Sequence, residues 1–407
     1  WKTANDCSPS GTQNADYGTV YVQAGDSDAW QTQYAGPISK VAVDSRQSLS
    51  GREIHNFLTC YTRYDNTSAY GNALMLRGDY TDVIVNAHKS PDRYAEQKVT
   101  MPDGATATMI CTIVDIEGEP REILFYIPDN ASELQPDGAP VITVWAGGSQ
   151  TNIIFFDSTC WWETANQNGI ALIFTNEAYN TSVAVTPADV DACYHAMLDL
   201  LEGWNDSGKF QFDLSRIYST GQSMGSMESQ QFAQETPDYY AAVASTSFYQ
   251  DYPDAHSDKP IPTYLINGEG NGKDDTGTPY DDRWNRTDDW AQYFLRVNGF
   301  VYTPAVYAAD GTVTTFGVPV SEPVFTVTGP YDRFETYTWI NGQDIPLVQY
   351  TNSLYRPHNC LTSEIPMLWD FLEHYRCERD EDGAVTARYY SASAFERDDQ
   401  VLIQFGA

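Results

Sequence analysis

Gly221-Gln222-Ser223-Met224-Gly225 stands between a strand-like run, Arg216-Ile217-Tyr218-Ser219-Thr220, and a polar helical stretch from Ser226 to Glu235. A serine flanked two residues away by glycines, at a sharp strand-to-helix turn, is the setting that lifts a hydroxyl above the edge of a sheet. The glycines let neighbouring backbones approach, and the serine itself takes a strained conformation. The next amide, on Met224, then lies at a helix N-terminus, where its N–H and the positive end of the dipole can hold a developing oxyanion. Ser223 is therefore the candidate nucleophile. The competing reading, a glycine-flanked turn with an incidental serine, leaves the surrounding pattern without a purpose.

Outward from this stretch, hydrophobic runs alternate with amphipathic helices. Val141-Ile142-Thr143-Val144-Trp145 reads as a buried strand running into Gly147-Gly148, and Ile170-Ala171-Leu172-Ile173-Phe174 as another. A helix follows, with Thr186 as cap, Pro187 at its first position, Val190, Cys193, Tyr194, Met197, Leu198 and Leu201 on one face, and Gly203 as its stop. Further strands are expected at Arg216–Thr220, Ala241–Ser245, Thr263–Ile266 and Leu347–Tyr350, and a C-terminal helix from Pro366 to Tyr375. This is the α/β pattern of a mostly parallel central sheet with helices on both faces. It spans residues 105–380, with an aromatic-rich insertion near 276–345. Residues 1–104 read as a β-rich N-terminal region, with strand-like runs at Lys40-Val41-Ala42-Val43 and Asp82-Val83-Ile84-Val85, and residues 381–407 as a C-terminal extension.

A serine nucleophile needs an imidazole to take its proton, and in a strand-turn-helix setting the chain order is Ser, then Asp or Glu, then His. His256, His358 and His374 follow Ser223. His374 falls inside the last helix and His256 precedes the strand that should come before the acid. His358, in Arg356-Pro357-His358-Asn359-Cys360, follows the strand at Leu347–Tyr350 and is the candidate base. The acid should lie a few residues beyond Thr263-Tyr264-Leu265-Ile266-Asn267-Gly268. The position three after Gly268 is Asn271, so Asp274 is favoured in a longer glycine-rich loop, with Asp275 and Glu269 as alternatives. A second oxyanion donor is expected from Gly148 or Ser149, where glycine lets the backbone approach a substrate.

Composition narrows the partners. The chain has 407 residues, long enough for a large core, and its 23 basic against 56 acidic residues give a formal charge of −33. No basic stripe exists to displace counterions from phosphates, so nucleic acid is excluded, and anionic membranes and polyanionic sugars are disfavoured. A neutral substrate fits. No apolar run approaches the roughly 18 residues that span a bilayer, so membrane insertion is not expected. Seven cysteines without CxxC or Cys/His ligand spacing argue against a structural zinc site. A chain beginning at Trp1 is the expectation for a processed, secreted or cell-surface protein.

Trp145-Ala146-Gly147-Gly148-Ser149-Gln150, then Gly221-Gln222-Ser223-Met224-Gly225, then Pro357-His358-Asn359 ahead of Met367-Leu368-Trp369-Asp370-Phe371-Leu372 resemble, in order and spacing, the polyhydroxybutyrate depolymerase-like and feruloyl esterase-like branch of the α/β-hydrolases. The resemblance covers residues 105–377 and implies a serine carboxylesterase with an Asp or Glu and a His completing the triad, and with no cofactor or metal. Two positions depart from it: Ala146 stands where the family carries a histidine before the oxyanion-loop glycine, and Asn271 stands at the expected acid position. The expected substrate is a neutral ester, small or polymeric, with Trp161 and Trp162 as the wall of an acyl pocket. Other readings are a peptidase of the prolyl-oligopeptidase type, for which residues 1–104 are too few to form a gating propeller, and a binding protein on a decayed hydrolase, against which the intact Ser223 and His358 argue.

Overall fold

The computed structural model describes residues 12–14, 18–22, 40–43, 82–116, 118–148, 150–178, 187–249, 251–268, 281–302, 306–307, 313–315, 324–327, 333–353, 358 and 360–406. The chain divides into two compact units, Trp1–Asp79 with Thr100–Ala105, and Tyr80–Val99 with Thr106–Ala407. In the first, β1 (Thr12–Asn14), β2 (Gly18–Val22) and β3 (Lys40–Val43) form an antiparallel sheet in that order.

Asp82-Val83-Ile84-Val85, expected as a strand, begins a helix, α1 (Asp82–Lys89). Val83 and Ala87, four apart, are both buried, Asp82 sits at the positive end of the dipole, and His88 and Lys89 sit at the negative end. Burial of one helical face and favourable ends outweigh the β preference of three branched residues.

The rest, in chain order, is β4 (Tyr94–Thr100), β5 (Thr106–Ile116), β6 (Glu119–Pro128), α2 (Ala131–Leu134), β7 (Ala139–Trp145), α3 (Asn152–Thr159), α4 (Trp161–Asn168), β8 (Ala171–Ala178), α5 (Pro187–Ser207), β9 (Phe212–Gly221), α6 (Met224–Glu235), β10 (Ala242–Thr246), β11 (Thr263–Gly268), α7 (Asp281–Val297), β12 (Val306–Tyr307), β13 (Val313–Thr315), β14 (Val324–Val327), β15 (Arg333–Ile340), β16 (Pro346–Ser353), α8 (Glu364–Leu372), β17 (Tyr375–Arg379), β18 (Val385–Tyr390) and β19 (Val401–Leu402). One sheet of 11 strands runs β14-β15-β16-β11-β10-β9-β7-β8-β6-β5-β4. From β8 through β7, β9, β10 and β11 to β16 the pairing is parallel. It is antiparallel from β8 through β6 to β5 and from β16 through β15 to β14.

Every residue of β7 and of β10 is buried, which is what continuous apolar runs mean in a sheet covered on both faces. α5 runs through Gly203, the expected stop, and ends before Gly208, which takes the left-handed φ of +68°. The insertion adds α7 and, with β14 and β15, widens the sheet; Trp290, Phe294, Phe334 and Trp339 are buried there and build core. At the C-terminus β17, β18 and β19 form a small antiparallel sheet. Its Arg388 is buried and donates to the carbonyls of Pro237 (2.6 Å), Tyr240 (2.7 Å), Ala241 (3.2 Å) and Pro260 (3.3 Å). Arg379 donates to Leu214 (2.8 Å), Asp238 (2.7 Å) and Tyr239 (2.7 Å). These bonds satisfy carbonyls at the start of β9 and in the turns before β10 and β11, and they tie β17 and β18 to the central sheet's connections. Among the described residues no helix is long and apolar enough to cross a membrane.

Candidate active site

β9 ends at Gly221 and α6 begins at Met224, so the turn between them is two residues long. Ser223 takes φ 58° and ψ −116°, a region that costs a non-glycine residue about 1–3 kcal/mol. The surroundings enforce it. A Cβ on Gly221 would stand 2.2 Å from the Gly225 carbonyl oxygen, and one on Gly225 would stand 1.9 Å from the Trp145 carbonyl oxygen. Both glycines are therefore required by contact between β9, α6 and the end of β7. The Ser223 N–H donates to the Thr246 carbonyl at 3.3 Å, and the Met227 N–H donates to the Ser223 carbonyl at 3.0 Å. Beneath the turn, Trp145 Nε1 donates to Ser219 Oγ at 3.1 Å and Ser219 Oγ lies 2.8 Å from Ser229 Oγ, which locks α6 onto the sheet.

His358 lies between β16 and α8, and its Nε2 is 2.8 Å from Ser223 Oγ across 135 residues of sequence. A serine after a strand near the centre of the parallel run, with an imidazole delivered after the parallel edge strand three places beyond it, completes the topology. This is the α/β-hydrolase fold. The parallel strands all deliver their C-terminal ends to one edge of the sheet, where such folds bind their ligands.

Of the expected oxyanion donors, Met224 and Gly148 fall at the same edge. Met224 is the first residue of α6, where the N–H groups are not used by the helix itself. A Cβ on Gly148 would lie 3.9 Å from the Met224 side chain, so the loop after β7 rests against the start of α6. Gly147 is enclosed: its N–H donates to Gln150 Oε1 at 3.1 Å, and a Cβ there would stand 2.6 Å from Gln222 Oε1. Ser149 lies outside the described residues, as do Asp274, Asp275, Glu269 and Asn271. β11, which the last four follow in sequence, is paired between β10 and β16 and ends at Gly268 on the same edge.

Trp161 and Trp162, expected to wall an acyl pocket, are each 1% exposed. They open α4, an eight-residue helix that also buries Thr164, Ala165 and Asn166, so both indoles are spent on the interior and neither meets solvent. Two site residues were missed. Phe248, two residues past β10, stands edge-on to the His358 imidazole, with ring centroids 6.3 Å apart at 85°. Its position beyond the C-terminal end of a parallel strand was a usable signal. Glu364, buried in the first turn of α8, accepts from the Thr246 hydroxyl at 2.9 Å and from the Leu361 N–H at 3.4 Å. A lone acid in an otherwise apolar helix start gave only a faint sign of it.

A cavity of about 680 Å³ opens at the opposite edge, between Ala139 and Phe212 at the starts of β7 and β9. Its two lysines are already paired, Lys98 with Asp129 at 2.5 Å and Lys209 with Glu96 at 2.6 Å.

No family model matches the chain, and no curated protein does. Among solved structures it is similar to an acetyl xylan esterase from Aspergillus awamori, at 14% identity over 68% of this chain and 98% of that one, with a TM-score of 0.42. It is similar to an S-formylglutathione hydrolase from Agrobacterium tumefaciens, at 12% identity over 44% and 79% of the two chains, with a TM-score of 0.33. Est1E from Butyrivibrio proteoclasticus matches at 13% identity over 45% and 84%, with a TM-score of 0.30.

Proposed function

We propose that the protein is a serine-dependent carboxylic ester hydrolase, of the polyhydroxybutyrate depolymerase-like or feruloyl esterase-like type, acting on a neutral ester. The observation that carries this reading is the 2.8 Å contact between His358 Nε2 and a Ser223 Oγ held on a strained turn. In the reaction, Ser223 Oγ attacks the ester carbonyl as His358 Nε2 takes the hydroxyl proton. The tetrahedral oxyanion is held by the Met224 N–H and by a second amide from Gly148 or Ser149. The C–O bond to the alcohol then breaks, and the imidazolium gives its proton to the leaving oxygen. Water, deprotonated by the same imidazole, attacks the acyl-enzyme and releases the acid. Asp274, with Asp275 and Glu269 as alternatives, orients the imidazole from the loop after β11. The formal charge of −33 favours an uncharged substrate, such as a hydroxyalkanoate oligomer or a phenolic ester, over an anionic one.

The test is hydrolysis of p-nitrophenyl esters of increasing chain length, methyl ferulate and a short hydroxybutyrate oligomer, with Ser223→Ala as control. Turnover that disappears in the variant while its fold is retained is the expected result. Silence across the panel, together with no labelling of Ser223 by a fluorophosphonate, would overturn the reading in favour of a non-catalytic binding protein.

A further inference from the structure

The backbone that carries Phe248 is held unusually firmly for a loop. Beyond β10 the chain turns at Ser247, a non-glycine residue with φ of +71°. The Ser247 N–H donates to the Ile266 carbonyl at 2.8 Å, and the Ser226 hydroxyl of α6 donates to the Phe248 carbonyl at 2.6 Å. On the far side Tyr249 is buried, and its hydroxyl donates to Asp251 at 3.0 Å. The Phe248 backbone is thus fixed on both sides, and the residue is half-buried, in contrast to Trp161 and Trp162, which solvent does not reach. It therefore offers a substrate an apolar face beside the imidazole.

Resting on the ester-hydrolase reading, the geometry points to which half of the ester meets this ring. The carbonyl carbon must sit at Ser223 Oγ and the carbonyl oxygen at the start of α6, by Met224. The oxygen of the departing alcohol must be within reach of His358 Nε2, because that nitrogen returns the proton. The alcohol half thus lies on the imidazole side, where Phe248 stands, and the acyl half lies away from it. We infer that Phe248 is a specificity-determining residue for the alcohol portion of the ester, selecting flat or apolar alcohols, aryl or alkyl, over compact or strongly hydrated ones. An aromatic ring does this by removing apolar surface from water and by offset or edge contact with a second ring.

Two series of substrates separate the halves. One holds the acyl group as acetate and varies the alcohol through methyl, ethyl, benzyl and phenyl; the other holds p-nitrophenol and varies the acyl group from acetate to hexanoate. In Phe248→Ala, the ratio of kcat/KM for phenyl over methyl acetate should fall about 10-fold, the scale on which a lost apolar contact changes discrimination. The acyl-series ratios should stay within about twofold of wild type. Phe248→Leu, which keeps apolar bulk and removes the ring, should give the same sign with a smaller change. Altered acyl ratios, or an equal fall for every substrate with slowed fluorophosphonate labelling of Ser223, would overturn the inference while leaving the hydrolase intact. A wild type that neither turns over nor labels removes the underlying reading and this one together.

Discussion

The Thr246 hydroxyl donates to the Glu364 carboxylate at 2.9 Å, and the Thr246 carbonyl accepts the Ser223 N–H at 3.3 Å. One residue at the end of β10 therefore holds both the Ser223 turn and the helix that follows His358. The same carboxylate oxygen accepts the Leu361 N–H at 3.4 Å, three residues beyond His358.

Glu364→Ala should remove an interior acceptor for two donors and destabilise the fold by roughly 1–3 kcal/mol. It should also lower kcat more than it changes KM, since the imidazole and the serine lose a shared reference point. Glu364→Gln, which still accepts through its amide oxygen, should recover most of both. Urea denaturation with steady-state kinetics checks the set.

Gly225→Ala should abolish labelling of Ser223 by a fluorophosphonate, because its Cβ would lie 1.9 Å from the Trp145 carbonyl oxygen and backbone must move. Gly203→Ala is the contrasting substitution. A Cβ there meets nothing within 4 Å, four residues before the end of α5, so a gain of about 0.5–1 kcal/mol is expected, read as a raised Tm.

Stability should fall as pH rises from about 4.5 to about 7. Burial, reinforced by Asp370 and Glu396, raises the Glu373 carboxyl from 4.5 to about 7, so the folded state holds a proton there that the unfolded state has released. The full shift corresponds to about 3 kcal/mol, and water reaching a side chain that is 25% exposed reduces this to about 1–2 kcal/mol. Glu373→Gln should flatten that part of the Tm against pH curve between about pH 4.5 and 7; a wild-type and variant difference independent of pH would refute the assignment.

Trp161→Ala should cost about 3–5 kcal/mol, the loss for a large buried aromatic, and leave ratios between acyl chain lengths unaltered in whatever protein folds. Denaturation midpoints and the p-nitrophenyl series measure the two effects separately.

The centre of the sheet could be read from the chain because its strands are buried on both faces and so appear as unbroken apolar runs, as at Val141–Trp145 and Thr263–Ile266. Ser223 was legible because the glycine contacts that define its turn are two residues away on either side, a local matter. His358 was legible only through chain order, since 135 residues separate it from Ser223. What escaped was decided by packing at a distance. Asp82–Val85 became helical because Val83 and Ala87 had a surface to bury against, and α5 ran past Gly203 because a helical glycine is tolerated where the next turn is supported. Trp161 and Trp162 are near the oxyanion loop in sequence, but sequence proximity does not say which way a short helix faces. Phe248 and Glu364 gain their meaning only once β10, β16 and α8 have been brought to one edge.

The carbonyls of Pro237, Tyr240, Ala241 and Pro260 wait for a guanidinium that is translated more than a hundred residues later, on β18. A nascent chain that has emerged as far as β11 contains the strained serine turn but neither its imidazole nor the arginine that closes the turns before β10 and β11. Synthesis thus delivers the Ser223 hydroxyl well ahead of both the imidazole that contacts it and the guanidinium that steadies the neighbouring turns, so this edge of the sheet is assembled only after β16 and β18 have been made.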